Sequence, residues 1–92
     1  MSYTILPYTQ QQAKKLGVSV RPSTNPKKKI DVYEGGQKVA SVGATGYKDY
    51  PTYQREDGKA IAEERRRLYH LRHAKDSQKK GTPGYYASLL LW

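Results

Sequence analysis

The sequence predicts a small α+β fold: an antiparallel β-hairpin sheet packed on one long helix, with short N- and C-terminal helices. Three stretches carry that expectation. Asp57 to Lys75 contains no proline and is rich in Ala, Glu, Arg and Leu, which lose little side-chain freedom in a helix. Ile30 to Gly43 holds two short runs with β-branched residues around Gly35-Gly36, and two successive glycines supply the positive φ angles of a type I′ turn. Thr82-Pro83 then opens an apolar run, with a capping hydroxyl followed by proline at the first helical position.

The 92 residues are read as a single small basic domain. Residues 1–29 form an N-terminal arm with a short helix and a basic loop, and residues 30–92 carry the hairpin, a Tyr-rich loop, the long helix and the last helix. Met1 to Pro7 is expected to be extended. Thr9 is placed as the cap of a two-turn helix, Gln10 to Leu16, which Gly17 ends in the left-handed conformation. Two turns are unstable alone, so Ala13 and Leu16 must dock on the rest. Val18 and Val20 alternate with Ser19 as a brief strand. Pro22 and Pro26 make the next stretch a loop, with Lys27, Lys28 and Lys29 as its densest positive run.

In the hairpin, a two-residue turn sets a register that pairs Tyr33 with Lys38 and Val32 with Val39. Ile30, Val32 and Val39 then share one face, and Tyr33, Lys38, Ala40 and Val42 the other. The following segment, with Gly43, Gly46, Tyr47, Tyr50 and Tyr53, lacks the Lys-Ser/Thr ending of a P-loop and the pattern of a dinucleotide fingerprint. Its tyrosines are expected to dock beside the long helix. Asp57 is read as the cap of that helix. At the other end, Leu89, Leu90, Leu91 and Trp92 either close the core or insert into another subunit.

On the long helix, Ile61, Leu68 and Leu71 fall within an arc of about 80° at about 100° per residue and form a narrow apolar stripe. Beside it lie Arg65 and Arg72, then Ala62, Tyr69 and His73, while Arg66, Arg67 and His70 point elsewhere. Two readings follow from this mixed face. The Arg stems pack at the edge of the core with their heads on carboxylates such as Asp49 or Glu64, or the face receives phosphate or an acidic partner.

Charge and composition narrow the class. Lys and Arg number 17 against 8 Asp and Glu, a net +9, and the sequence pI is about 9.8. That excess favours a polyanion or an acidic surface as partner. Hydrophobic residues make up 36%, the mean hydropathy is −0.93, and nine Tyr stand where Phe is absent, so the core is thin and its aromatic surface carries hydroxyls. Absence of cysteine excludes disulfides and thiolate zinc sites. The first residues show no basic n-region and no long apolar h-region, and no run reaches the roughly 20 apolar residues of a membrane span. A soluble protein acting inside a cell or a particle is the expectation.

His70, His73 and Asp76 are spaced three apart, but the ring positions diverge by about 60° and no second pair exists, so no metal is assigned. No spacing matches a nucleophile elbow or a triad. The chain is read as non-enzymatic, with no cofactor.

Three motifs together point to a family. They are Gly43-Ala44-x-Gly46-Tyr47-x-Asp49-Tyr50, Arg66-Arg67-x-Tyr69-x-x-Arg72-His73, and Gly84-Tyr85-Tyr86 ahead of Leu90-Leu91-Trp92. Across most of residues 5–92 the chain resembles a family of small basic proteins encoded by large double-stranded DNA viruses of algae and protists. The resemblance implies a viral context and supplies no biochemical activity. Two functions suit that context. The first is a minor structural protein of the virion, a capsid-associated adaptor or cement, made in host cytoplasm or nucleus and contacting capsid or other virion proteins. Tyr47, Tyr50, Tyr53, Tyr85, Tyr86 and Trp92 would be its interface groups. The alternative is a sequence-independent DNA- or RNA-binding accessory protein. Lys27, Lys28, Lys29, Arg65, Arg66, Arg67, Arg72 and His73 are the candidate contacts to phosphate or to an acidic partner.

Overall fold

Local signals place most elements of the computed structural model, which describes residues 3–92 except the side chain of Asp76. Met1 and Ser2, part of the segment expected to be extended, and the Asp76 carboxylate considered with the two histidines lie outside the described residues. In chain order the elements are helix α1 (Pro7–Leu16), strands β1 (Ser19–Pro22), β2 (Lys28–Glu34) and β3 (Gln37–Ala44), and helices α2 (Tyr50–Asp57), α3 (Lys59–Arg72) and α4 (Pro83–Leu90). A single 3₁₀ turn, Asp76–Gln78, links the last two helices. The fold is α+β.

α1 begins three residues earlier than the Thr9 cap required, because Pro7 occupies its first turn after an extended Leu6. Thr9 instead faces inward with no exposed surface, and its hydroxyl has no hydrogen-bond partner among the described residues. The other end is as expected. Gly17 sits at φ 77°, its N–H donates to Lys14, and Val18 N–H donates to Ala13, which satisfies two free carbonyls. Ala13 is buried in the same core as the sheet, so residues 3–29 belong to the fold and do not form an arm.

The sheet is antiparallel in the order β1-β2-β3. Pro22 is tolerated because β1 lies at an edge. Gly35 and Gly36 take φ 60° and 83°, and Tyr33 pairs with Lys38 as the turn dictates. One step further the expected pairing fails: Val32 opposes Ala40, so Val39 is an extra residue in β3. This bulge reverses the face of everything beyond it. Ala40 and Val42 therefore join Ile30, Val32 and Val20 in the core, while Val39 is 39% exposed.

Alternation puts Asp31 on the other face, where Ser23 and Ser41 hydroxyls both donate to it at 2.7 Å. Burial alone would raise its pKa; the two hydroxyls and the Thr24 N–H outweigh that and hold it below the usual carboxylate range.

α4 covers the core face of the sheet. Thr82 caps it, accepting from Tyr85 N–H, and Tyr86, Ala87, Leu90 and Leu91 are buried against the strands. Tyr85 packs half-buried on that cluster, and its ring meets Tyr86 edge-on at 5.3 Å. Both tyrosines, expected at an interface, are thus part of this chain's own core. The apolar last segment closes the core.

The long helix is divided. Asp57 is the final residue of α2 and does not cap α3; Gly58, at φ 93°, separates the two helices. Asp49 caps α2 through Thr52 N–H, and Pro51 follows within its first turn. α3 lies beside the hairpin sheet, with Trp92 between. Its apolar stripe is not the core: Leu71 is 71% exposed, Ile61 is 48% exposed, and Ala62 is the residue that is fully buried.

Gly43, at φ 83°, marks the tightest approach. A Cβ built there would meet Leu91 Cδ1 at 2.7 Å and Lys29 side-chain carbons at 3.1 Å. Gly43→Ala is expected to cost about 1–3 kcal/mol through overpacking plus positive-φ strain, read as a lower urea midpoint at unchanged slope. An unchanged midpoint would show that α4 can retreat from β3 freely.

Candidate functional site

The divided helix and the last residues enclose a cleft of about 520 Å³. α3 forms one wall with Arg65, Leu68, Tyr69, Arg72 and His73; the opposite wall comes from Lys29, Gly43 and Ala44, and Tyr47, Lys48 and Tyr53 stand at the side. Ala87, Leu91 and Trp92 make the floor. The mixed face read from helical periodicity is therefore the wall of a concave site.

Its rings are pre-stacked. Tyr69 lies parallel to Trp92, 4.4 Å between centroids at 5°, and also stacks on His73 at 4.4 Å and 26°. Tyr53 leans on Trp92 at 6.2 Å. His70 Nε2 is 3.4 Å from the Trp92 carbonyl, which steadies the floor from behind. Of the two roles open to Trp92, closing the core or entering another subunit, it takes the first, packing on the core cluster and on Tyr69 of this chain.

Cations surround that aromatic floor. Arg65 and Lys48 sit over the Tyr53 ring at 5.7 Å and 5.4 Å, a geometry in which the ring face attracts positive charge. Lys48 is shared with Asp57 at 2.8 Å and Glu56 at 3.4 Å, and these carboxylates, Asp57 foremost by hydrogen bonding, raise its pKa. Arg65 and Arg72 are exposed and have no carboxylate within 4.0 Å among the described residues. No carboxylate lines the cleft among the described residues.

The other expected contacts separate into three groups. Lys27 and Lys28 are exposed and do not line the cleft; Asn25 fixes their backbone, its carboxamide oxygen accepting from Lys27 N–H and its carbonyl from Lys28 N–H. Thr45 N–H donates to the Lys27 carbonyl, tying that loop to the Gly46-Tyr47 segment. Lys29 is a correction: it lies within β2, is 6% exposed, and its ammonium donates to Asp49 at 3.0 Å. It is already neutralised.

Arg66 and Arg67 also leave the site, as the periodicity required. Arg67 pairs with Glu64 at 2.8 Å, and Arg66 lies 4.9 Å over the Tyr50 ring. Tyr50 itself is 5% exposed, so it is core and not interface. Its hydroxyl donates to Glu63, and that bond, with burial, raises its pKa.

Two site features escaped the sequence reading. Lys48 carries no motif of its own, although Asp49 followed by Pro51 is a helix-start signal that places it just ahead of α2. The Lys29–Asp49 pair joins residues 20 apart from a strand and a helix cap, and no local pattern announces it. No group of three potential metal-ligating side chains occurs among the described residues, and no helix among them is long and apolar enough to cross a membrane. No protein-family model matches the chain, and no curated protein or solved structure matches it.

Proposed function

We propose that this protein is a non-enzymatic binding module that takes nucleic acid on the basic cleft without reading its sequence, in the setting of a large DNA virus. One observation carries the reading: Arg65 and Arg72, without carboxylate partners among the described residues, line one wall of a concave site with aromatic rings and no carboxylate in its described lining. The phosphates of a nucleic acid hold condensed cations that guanidinium groups displace, and release of those ions drives binding. The net charge of +9 adds long-range attraction. The sequence carries no recognisable helix-turn-helix or other base-reading motif, so contacts to phosphate position the ligand and sequence goes unread.

The test is an affinity measurement on DNA as salt is raised. Wild type is expected to bind with a steep inverse dependence on salt. An Arg65→Ala/Arg72→Ala double variant, with its urea midpoint unchanged because both residues are exposed, is expected to lose about 1.8 from the log–log slope, two phosphates at about 0.9 each. Equal affinity and slope in the variant would refute the assignment of the cleft. Absence of wild-type binding at about 150 mM salt would leave the charge for protein surfaces.

A second reading, the virion adaptor, has its own supporting observation. Ile61 and Leu71 are exposed on α3 beside Arg65 and Arg72, and apolar groups interleaved with Arg are what the centre of a protein interface uses. Capsid or other virion proteins with an acidic surface are the partners this flank suits. The adaptor reading rests on that flank and on the exposed Tyr47, since Tyr50, Tyr85, Tyr86 and Trp92 pack within this chain.

A further inference from the structure

A second, shallower bay of about 300 Å³ adjoins the cleft and shares Lys29, Tyr47 and Lys48 with it; Tyr3, Thr45, Gly46 and Thr52 complete it. The two bays therefore meet at Tyr47. This tyrosine is 75% exposed. Among the described residues its ring stacks on no other ring and lies under no cation, and its hydroxyl has no hydrogen bond. The rings of Tyr53 and Tyr69, by contrast, are already covered by Arg65, Lys48, Trp92 and His73.

We infer that the groove is built for a single strand of nucleic acid, with an unpaired base stacked on Tyr47 and the adjoining backbone on Arg65 and Arg72 in the deep bay. The inference rests on the nucleic-acid reading above and narrows its ligand class. Arg65 and Arg72 border the deep bay, while Lys29 and Lys48, common to both bays, are already paired with carboxylates. A strand that runs from the deep bay into the shallow one passes Tyr47. A duplex keeps its bases stacked on one another and presents convex phosphate ridges, which leaves an open ring in a concave groove without a partner. An unpaired base has two free faces, and stacking on an aromatic side chain tolerates any sequence.

The carboxylates of an acidic peptide offer the same negative charge, but a flat ring for Tyr47 would have to come from an aromatic residue placed beside them, whereas every nucleotide carries phosphate and base together. The groove's combination of spaced cations and one open ring therefore favours a nucleotide chain over a carboxylate-rich one.

The experiment measures fluorescence anisotropy of a labelled oligothymidylate and of a duplex of equal length, with wild type, Tyr47→Ala and Tyr47→Phe. Urea midpoints should be equal for all three proteins, since the side chain is exposed. Wild type is expected to bind the single strand at least tenfold more tightly than the duplex. Tyr47→Ala should lose roughly tenfold on the single strand and little on the duplex, and Tyr47→Phe, which keeps the ring, should retain wild-type affinity. Equal or tighter duplex binding, with Tyr47→Ala silent on the single strand, would overturn the inference and leave the broader reading standing. No binding of either nucleic acid would remove both. Competition by polyglutamate as effective as that by unlabelled single strand, at matched charge, would also overturn it, because the groove would then be reading charge alone.

Discussion

Asp49→Ala is expected to lower stability by about 3–5 kcal/mol, enough to unfold a domain of this size under mild denaturant. Asp49 has no exposed surface and makes three hydrogen bonds from three segments. Its Oδ2 accepts from Tyr3 at 2.6 Å and from Lys29 Nζ at 3.0 Å, and its Oδ1 accepts from Thr52 N–H at 3.0 Å. Loss of the carboxylate leaves the Lys29 side chain, 7% exposed, without its ion-pair partner at a largely buried position. It also removes the α2 cap, worth about 1 kcal/mol, and frees a phenol whose pKa burial and Asp49 together hold above its ordinary value.

The buried pair by itself is weak evidence of net stabilisation, since burying both ions opposes their attraction. The informative comparison is therefore a cycle of Asp49→Ala, Lys29→Met and the double variant. The double variant should be less destabilised than the sum of the singles, by about 0.5–3 kcal/mol, because it leaves no orphaned charge. Urea midpoints measure this. Strict additivity would mean that water reaches Lys29 and the pair is not coupled.

Leu90→Ala is expected to cost about 2–5 kcal/mol, and Leu71→Ala within about 0.5 kcal/mol. Leu90 has no exposed surface and belongs to the cluster with Ile30, Val32 and Val42, so truncation leaves a cavity against a well-ordered sheet. Leu71 is mostly in water and leaves none. Thermal or urea unfolding of the two variants compares them directly. A large loss at Leu71 with little at Leu90 would move the core from α4 to α3. Leu68, half-buried in the cleft wall, is on this basis a poorer probe of the core than Leu90.

That ordering reverses what helical periodicity predicts, and the reason is instructive. Ile61, Leu68 and Leu71 do share an arc, but an arc says only that three side chains point the same way. What meets them depends on where neighbouring elements lie. Gly58 turns α3 so that Ala62 is buried and Ile61 and Leu71 face solvent. The apolar residues of α4 reach the sheet first. The same periodicity was informative about the site: Arg65, Arg72, Tyr69 and His73 line the cleft together, and Arg66 and Arg67 lie outside it.

The features that the sequence by itself determined are those carried by a few adjacent residues. They include the Gly35-Gly36 turn with its first pair, the Gly17 helix end, the Thr82-Pro83 helix start, the α+β class and the excess of positive charge. In each, the energy lies in local φ angles, a cap, or composition, and needs no distant partner. Tertiary structure alone decided the rest. The extra residue at Val39 follows from which face of β3 the core can cover, and the fate of Lys29 follows from a carboxylate 20 residues away. The cleft exists because Trp92 stacks on Tyr69, 23 positions apart, and brings the last residues under α3. Such pairings depend on long-range packing, whose strength comes from water excluded between surfaces that are not neighbours in sequence, and no short run of residues encodes it.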